Sequence, residues 1–257
     1  MKIVISALKR WFWSPISSKE KVEKYQTIIR DSEWNDLKEF IPRGSSFLDI
    51  GCGAGYNLLK AREELNCTVT GIDPSPGSHG VGRFSGTGVE LEILQGSAEN
   101  LPFEENSFDV IFCSHVLEHV TDEDKSLEEI KRVLKGGGVL IIGMPTALMS
   151  WISYFSIMTF TTHIQVLFFF KSLFKKDVLT RFRRIFIPDS HSKPRATLIW
   201  YDLIMYRVRR WNKVVGRHLT IQKKLKPFLY PYPDYYQFFK IKRSKLGSSS
   251  VFFICKK

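Results

Sequence analysis

Phe47-Leu48-Asp49-Ile50-Gly51-Cys52-Gly53-Ala54-Gly55 is the stretch that decides the fold. A short apolar run carrying one carboxylate leads straight into three closely spaced glycines, and the residues from Tyr56 to about Leu65 suit a helix. Strand, glycine turn and helix follow in that order. Such a turn lets a ligand approach the backbone, and the helix beyond it offers unpaired N–H groups and a partial positive charge. Taken alone it is equally a tight connection, so its neighbours must decide. In a dinucleotide-binding fingerprint the glycines would stand at 51, 53 and 56, but position 56 is Tyr56 and the third glycine is Gly55. The fingerprint fails where helix packs on strand. Asp49, just before the turn, suits an ammonium or sulfonium charge better than a pyrophosphate. Asp73 ends the next apolar run, Cys67 to Ile72, where a carboxylate can accept hydrogen bonds from both ribose hydroxyls. The two carboxylates together point to a cationic nucleoside.

Working outward, Ser18 can cap a helix from about Lys19 to Arg30, and a second helix from about Ser32 to Phe40 stops at Pro42. Pro74, Ser75 and Pro76 read as turn, N-cap and first helical residue of a helix weakened by Gly77, Gly80 and Gly82. Val89 to Gln95 and Phe108 to Ser114 are the third and fourth strands. Thr121 with Asp124 fits a capping box opening a helix to Leu134, ended by Gly136, Gly137 and Gly138. Val139 to Met144 is a fifth strand, stopped by Pro145, and Val251 to Ile254 one more. This alternation implies a parallel sheet with helices on both faces.

The segments LDIGCGAG (48 to 55), GIDPSP (71 to 76), GSAENLPFEENSFDVIFCSHVLEHV (96 to 120) and LEEIKRVLKGGGVLIIGMP (127 to 145) closely resemble class I S-adenosylmethionine-dependent methyltransferases of the small-molecule "type 11" group. The resemblance covers about residues 44 to 146 and returns in LGSSSVFFICKK (246 to 257). It implies an α/β fold: a Rossmann-like, mostly parallel seven-stranded sheet with helices on both faces, and a hydrophobic, basic insertion before the last strands. It divides the chain into an N-terminal basic helical segment (1–43), the cofactor-binding core (44–146), a basic aromatic region (147–245) and a final strand (246–257). It also implies S-adenosyl-L-methionine as cofactor. Asp49, Gly51 and Gly53 would line its methionine end, Asp73 would hold the ribose, and Ser97 and Ala98 would border the adenine. Ser114 and His115 would sit beside the sulfonium. The family usually has Asp where this chain has Ser97, and its second helix is normally poor in glycine; both departures would loosen the cofactor's seat.

Methyl transfer from a sulfonium is an in-line displacement, so holding nucleophile, methyl and sulfur collinear supplies most of the effect. A base is needed only for an acceptor that is protonated at working pH, and a neutral histidine would serve a hydroxyl or phenol. His115 is the candidate catalytic residue, while His119, within a recurrent LEH segment, reads as a structural hydrogen-bonder and His191 as a loop residue facing water. Cys113 reads as a small buried hydrophobe. No metal-ligand spacing is present. Neither an Asn-Pro-Pro-aromatic tetrad nor a Pro-Cys nucleophile follows strand four, which disfavours a nucleic-acid substrate.

The 257 residues carry a net charge of +12, with 44% hydrophobic residues including 20 Phe, 6 Trp and 9 Tyr, too much apolar surface for a disordered chain. The charge is unevenly divided: +5 over residues 1–30, −11 over 31–146 and +18 over 147–257. The acidic middle coincides with the site expected to take a cationic ligand, and the excess basicity belongs elsewhere. Trp11, Phe12 and Trp13 follow Lys9 and Arg10 as a basic aromatic lead-in. From Gly136 to Phe170 no residue is formally charged. Within this run Ser150, Ser153, Ser156 and Thr159 recur every third residue, a narrow polar stripe beside a wide apolar helix face. Lys171, Lys175, Lys176, Arg181, Arg183 and Arg184 follow at once. A helix lying in a membrane interface fits this pattern; a lid, a dimer contact and a core helix compete with it. The aromatic residues from Phe228 to Phe239, flanked by lysines, form a second such patch.

Four scattered cysteines and an apolar start interrupted at Lys9 point to a reducing compartment without a signal peptide, hence the cytoplasm, with peripheral attachment to the inner face of the membrane. The expected function is methyl transfer to an amphipathic or lipid-linked small molecule, a saccharide or quinone-type precursor. The expected partners are that acceptor and an anionic membrane surface. A catalytically silent cofactor-binding scaffold and an RNA-directed methyltransferase are the alternatives. Oligomeric state is open.

Overall fold

The computed structural model describes residues 19–83, 90–160, 162–170, 178–187, 189–192, 198–230 and 247–257. The lead-in at Trp11 to Trp13, the lysines 171, 175 and 176, and the aromatic cluster beyond Tyr230 lie outside them.

The chain opens with α1 (Lys19–Leu37), which continues into a 3-10 turn at Lys38–Phe40. The two helices expected on either side of residue 31 are therefore one, because Val22, Ile29, Trp34 and Leu37 all turn inward along it. Next come β1 (Ser46–Ile50), α2 (Tyr56–Leu65), β2 (Thr68–Asp73), β3 (Ile93–Gln95), β4 (Phe108–Ser114), α3 (Glu123–Val133) and β5 (Leu134–Pro145). Among the described residues, five helices come next: α4 (Ala147–Phe160), α5 (Thr162–Phe170), α6 (Val178–Phe186), α7 (Ile199–Met205) and α8 (Val208–Gly216). β6 (Thr220–Leu225) and β7 (Ser250–Lys256) complete the sheet.

The seven strands lie in the order β3-β2-β1-β4-β5-β7-β6. Pairings from β3 to β5 are parallel, and β7 runs antiparallel between β5 and β6. The period-two alternation of the strands sends side chains to two separate cores. Leu48, Ile50, Ile111, Cys113, Ile142 and Phe253 pack under α3 and α8, whereas Phe47, Val110, Phe112, Ile141 and Phe252 pack under α1 and α2. Both faces are covered, as parallel sheets require.

Three local readings are corrected. No helix follows Pro76: Gly77, Gly80 and Gly82 all take positive φ, which turns the chain repeatedly through residues 74–83. The N-cap of α3 is Asp122, whose side chain accepts from the Lys125 amide, not Thr121. Gly136 to Gly138 fall within β5. There Phe108 pairs with Leu134 but Val110 with Val139, so the glycine stretch bulges out of the ladder, and a Cβ on Gly138 would crowd Asp109 O at 2.9 Å.

The 147–170 segment shows which side of its helices meets the protein. It forms two helices, and the serine stripe faces inward: Ser150, Ser153 and Ser156 are buried, while Trp151, Phe155, Leu167 and Phe170 are exposed. The core the helix packs on is reached through its small residues, leaving its large aromatics outside.

Candidate active site

In a doubly wound sheet a ligand crevice opens at the carboxyl ends of the strands, where the strand order reverses. Here that place lies between β1 and β4, and it collects residues 49–55, 73–80 and 114–119. Asp49 projects from the penultimate position of β1 toward the α1 and α2 side and is 2% exposed. Burial lifts its carboxyl well above the usual range; Asn57 works against this, and neighbouring Asp73 adds to it. Its Oδ2 has no hydrogen-bond partner.

The glycine turn that follows is stitched to the end of β2. The Gly51 amide donates to Ile72 O (2.7 Å), and the Gly53 amide donates to Asp73 Oδ2 (2.8 Å). Gly51 and Gly53 both take positive φ, and a Cβ at either would collide, with the Val116 side chain and the His79 carbonyl respectively. The loop after β2 closes on the same turn: Gly77 N donates to Gly53 O (2.9 Å) and Ala54 N to His79 O (3.0 Å). Asp73, 1% exposed, also accepts from Ser75 N (2.7 Å), and His79 Nε2 stands 3.5 Å from its Oδ1. Ser97 and Ala98 follow β3; Ser97 Oγ accepts from Glu99 N (3.3 Å), and Ala98 is buried in the core beneath.

β4 supplies the opposite wall. Ser114 Oγ is buried without a partner. His115 takes φ +58°, a left-handed conformation uncommon outside glycine, and its amide donates to Gly143 O (2.8 Å). Its Nε2 hydrogen-bonds Ser250 Oγ (2.9 Å) and its Nδ1 lies 3.4 Å from Glu118 Oε1. Burial, with the nearby Arg30 charge, pushes its imidazole down to about 3, so it is neutral and a weak base at physiological pH. His119, expected as a hydrogen-bonder, has Nδ1 3.4 Å from Ser192 O and Nε2 3.9 Å from Glu118 Oε1. His191 is exposed, as expected, but its ring also packs edge-on against His119 at 5.3 Å, and partial desolvation together with His119 lowers its pKa.

Sequence reasoning missed Glu118 and the network behind His115. Glu118 is 5% exposed, both carboxyl oxygens lack a hydrogen-bond partner, and burial raises its pKa. From His115 a buried chain runs through Ser250 to Tyr230 OH (2.6 Å), from Tyr230 OH to Glu33 Oε1 (2.7 Å), and from Arg30 Nη1 to Glu33 Oε2 (2.6 Å). Arg30 and Glu33 stand three apart on α1, a spacing that in sequence reads as an exposed helix pair. Tyr230 belongs to a stretch whose aromatic content suggested a surface patch. Among the described residues no group of three or more His, Cys, Asp or Glu side chains is arranged to hold a metal.

A buried acceptor without a donor costs about 1–3 kcal/mol, and more when charged. Asp49 Oδ2 and Ser114 Oγ therefore fit a ligand that brings its own donors and positive charge to the crevice. A Rossmann-like sheet with an acid-lined crevice at its switch point is the architecture of a nucleoside-cofactor domain. Residues 48–142 match the family model "Methyltransferase domain", and this part of the chain belongs to that family of class I domains, whose cofactor is S-adenosyl-L-methionine. The chain is 32% identical over 147 residues to the tRNA U34 carboxymethyltransferase of Campylobacter curvus (strain 525.92), covering 53% of this chain and 46% of that protein. It is 35% identical over 104 residues to the demethylmenaquinone methyltransferase of Staphylococcus epidermidis, covering 39% of this chain and 43% of that protein. The chain thus spans less than half the length of these curated relatives. The fold is shared with an S-adenosylmethionine-dependent methyltransferase from Mesorhizobium loti, at TM-score 0.53 and 14% identity over 88% of this chain and 98% of that one.

These similarities overturn one expectation. The missing base-flipping motifs disfavoured a nucleic-acid partner, yet two relatives are named as tRNA U34 carboxymethyltransferases. The motifs sought mark enzymes that methylate a base amine or ring carbon, and their absence does not extend to other nucleic-acid chemistry.

Proposed function

We propose that the protein transfers a methyl group from S-adenosylmethionine to an amphipathic or lipid-linked small molecule, a saccharide or quinone-type precursor, at the cytoplasmic surface of the membrane. The observation that carries the donor half is the unpartnered Asp49 Oδ2, buried beside a glycine turn that is itself tied to Asp73. Bound there, the cofactor supplies an electrophilic methyl on a cationic sulfur. Asp49 takes the ammonium, the Gly51 and Gly53 backbone lines the methionine end, and Asp73 faces the ribose. Ser97 and Ala98 border the adenine, and Ser114 and His115 flank the sulfur. With its Nε2 held by Ser250 and its basicity suppressed, His115 acts as a wall and a positioning group. Glu118, with two unpartnered oxygens beside His119, is the group better placed to receive an acceptor's proton.

The acceptor half is supported by relatives named for demethylmenaquinone and sterol methylation, and by the aromatic surface of the 147–206 region. Calorimetric titration with S-adenosylhomocysteine tests the donor: absence of binding would sink the reading. Transfer of labelled methyl from S-adenosylmethionine to lipid-extractable material, compared with the water-soluble fraction, tests the acceptor; label confined to the aqueous phase rules out an apolar acceptor.

A further inference from the structure

Among the described residues, all nine large apolar side chains that are exposed fall between Trp151 and Ile204. They form one surface. Trp151 stacks on Phe155 (5.8 Å between centroids) and meets Trp200 of α7 edge-on (6.2 Å). Phe182 of α6 contacts Phe186 (5.9 Å) and Phe169 of α5 (5.4 Å). Tyr154 OH donates to Phe186 O (3.4 Å), joining the two halves. Leu179, 80% exposed, extends the ridge by one turn. Isolated exposed apolar residues are ordinary, but a joined patch of this kind marks an interaction surface.

Charge decides its occupant. Residues 147–257 hold 22 basic and 4 acidic residues. Of those four, Asp202 is buried, receiving Ser190 and Ser192 hydroxyls, and Asp189 is paired with Arg183. An apolar face within a cationic region complements an anionic lipid surface, whose headgroups attract lysine and arginine while its acyl boundary takes the aromatics. A second copy of the same face would set two strongly cationic regions against each other. No helix among the described residues is long and apolar enough to cross a membrane. The 14 residues of α4 and 9 of α5 suit helices lying in the plane of the interface.

We propose that the outward face of α4, α5, α6 and α7 is a docking surface that seats on an anionic bilayer. This specifies the membrane contact of the function proposed above, and it stands or falls independently of methyl transfer. The buried serines of α4 are what make the face available: small side chains let the helix pack closely inward, so Trp151 and Phe155 are presented outward with no rearrangement.

The test is co-sedimentation of the full chain with vesicles of phosphatidylcholine alone and of phosphatidylcholine with about 30% phosphatidylglycerol, at low and high salt. The expected result is at least tenfold tighter binding to the anionic vesicles, weakened by salt. The triple variant F155S/F182S/F186S, on exposed positions outside the crevice, should lose at least tenfold of this binding while its affinity for S-adenosylhomocysteine is unchanged. If the triple variant loses S-adenosylhomocysteine affinity as well, depth quenching by brominated lipid is compared between the unaltered chain and W151F/W200F, which must show less quenching. Equal binding of wild type and triple variant, equal binding to neutral and anionic vesicles, or quenching unaffected by W151F/W200F overturns the proposal. So does a lipid-independent dimer abolished by the triple substitution, which would assign the face to a second copy. RNA binding at matched salt that the triple substitution abolishes, without vesicle binding, overturns it equally. Vesicle binding with no S-adenosylhomocysteine binding would spare this surface and refute the donor.

Discussion

Replacing Asp49 by Asn should strengthen the ligand-free fold and weaken the cofactor at the same time. In the folded, ligand-free protein the Asp49 carboxyl titrates above its unfolded value because burial penalises its charge. The folded state therefore keeps a proton that the unfolded chain has released. This contribution to stability is complete below the unfolded carboxylate range and falls away as pH rises toward the folded pKa. Each unit of that elevation is worth about 1.4 kcal/mol at neutral pH, a penalty that Asn does not carry. Ligand binding has the opposite slope. An ammonium needs the carboxylate, so affinity should climb with pH through the raised pKa and level off above it, with proton release visible as a dependence of calorimetric enthalpy on buffer. Removing one partner of a buried charge pair costs about 3–5 kcal/mol, so D49N should bind S-adenosylhomocysteine roughly a hundred- to several thousandfold more weakly. Thermal unfolding across pH and calorimetry on wild type and D49N check both halves. Binding by D49N within about threefold of wild type would refute the assignment of Asp49 to a cationic ligand.

Three other substitutions probe the frame around the crevice. Gly51→Ala places a Cβ against Val116 at a positive φ, and should cost about 1–3 kcal/mol in denaturant unfolding and remove cofactor binding. Tyr230→Phe takes the donor from Glu33 Oε1 and the partner from Ser250, and should cost about 1–3 kcal/mol; an unchanged midpoint would mean the network is not maintained in solution. Trp211→Ala empties a buried site under β5, where the indole N–H donates to Pro145 O (3.1 Å), and should cost about 3–5 kcal/mol by urea titration.

The sheet was legible because its strands combine apolar runs with glycine or acidic stops, and β1, β2 and β4 start and end within about a residue of their expected positions. The places of Asp49 and Asp73 beside the glycine turn were legible for the same reason: each sits at the carboxyl end of an apolar strand. What could not be read depended on distance along the chain or on which side of a helix meets the core. Glu33 and Tyr230 are 197 positions apart and become a pair only when α1 and the segment before β7 are brought together. In α4 the serine stripe was visible, but the pattern left open which face meets the protein, and close packing favoured the small residues. The helix expected after Pro76 failed because three glycines lower helix propensity and also permit the left-handed turns that replace it.

The two backbone hydrogen bonds between the glycine turn and the loop after β2 give the crevice a further property. Gly53 offers its carbonyl to Gly77, and Ala54 its amide to the His79 carbonyl. The turn proposed to face the methionine end is thereby mechanically coupled to the loop that follows Asp73, the proposed ribose carboxylate. Opening either rim alone would break both bonds, so a nucleoside and an amino acid arriving as separate molecules would each have to disturb the pair. A ligand that unites the two in one molecule disturbs them once, and in this way the hinge-like coupling favours the intact cofactor over its fragments.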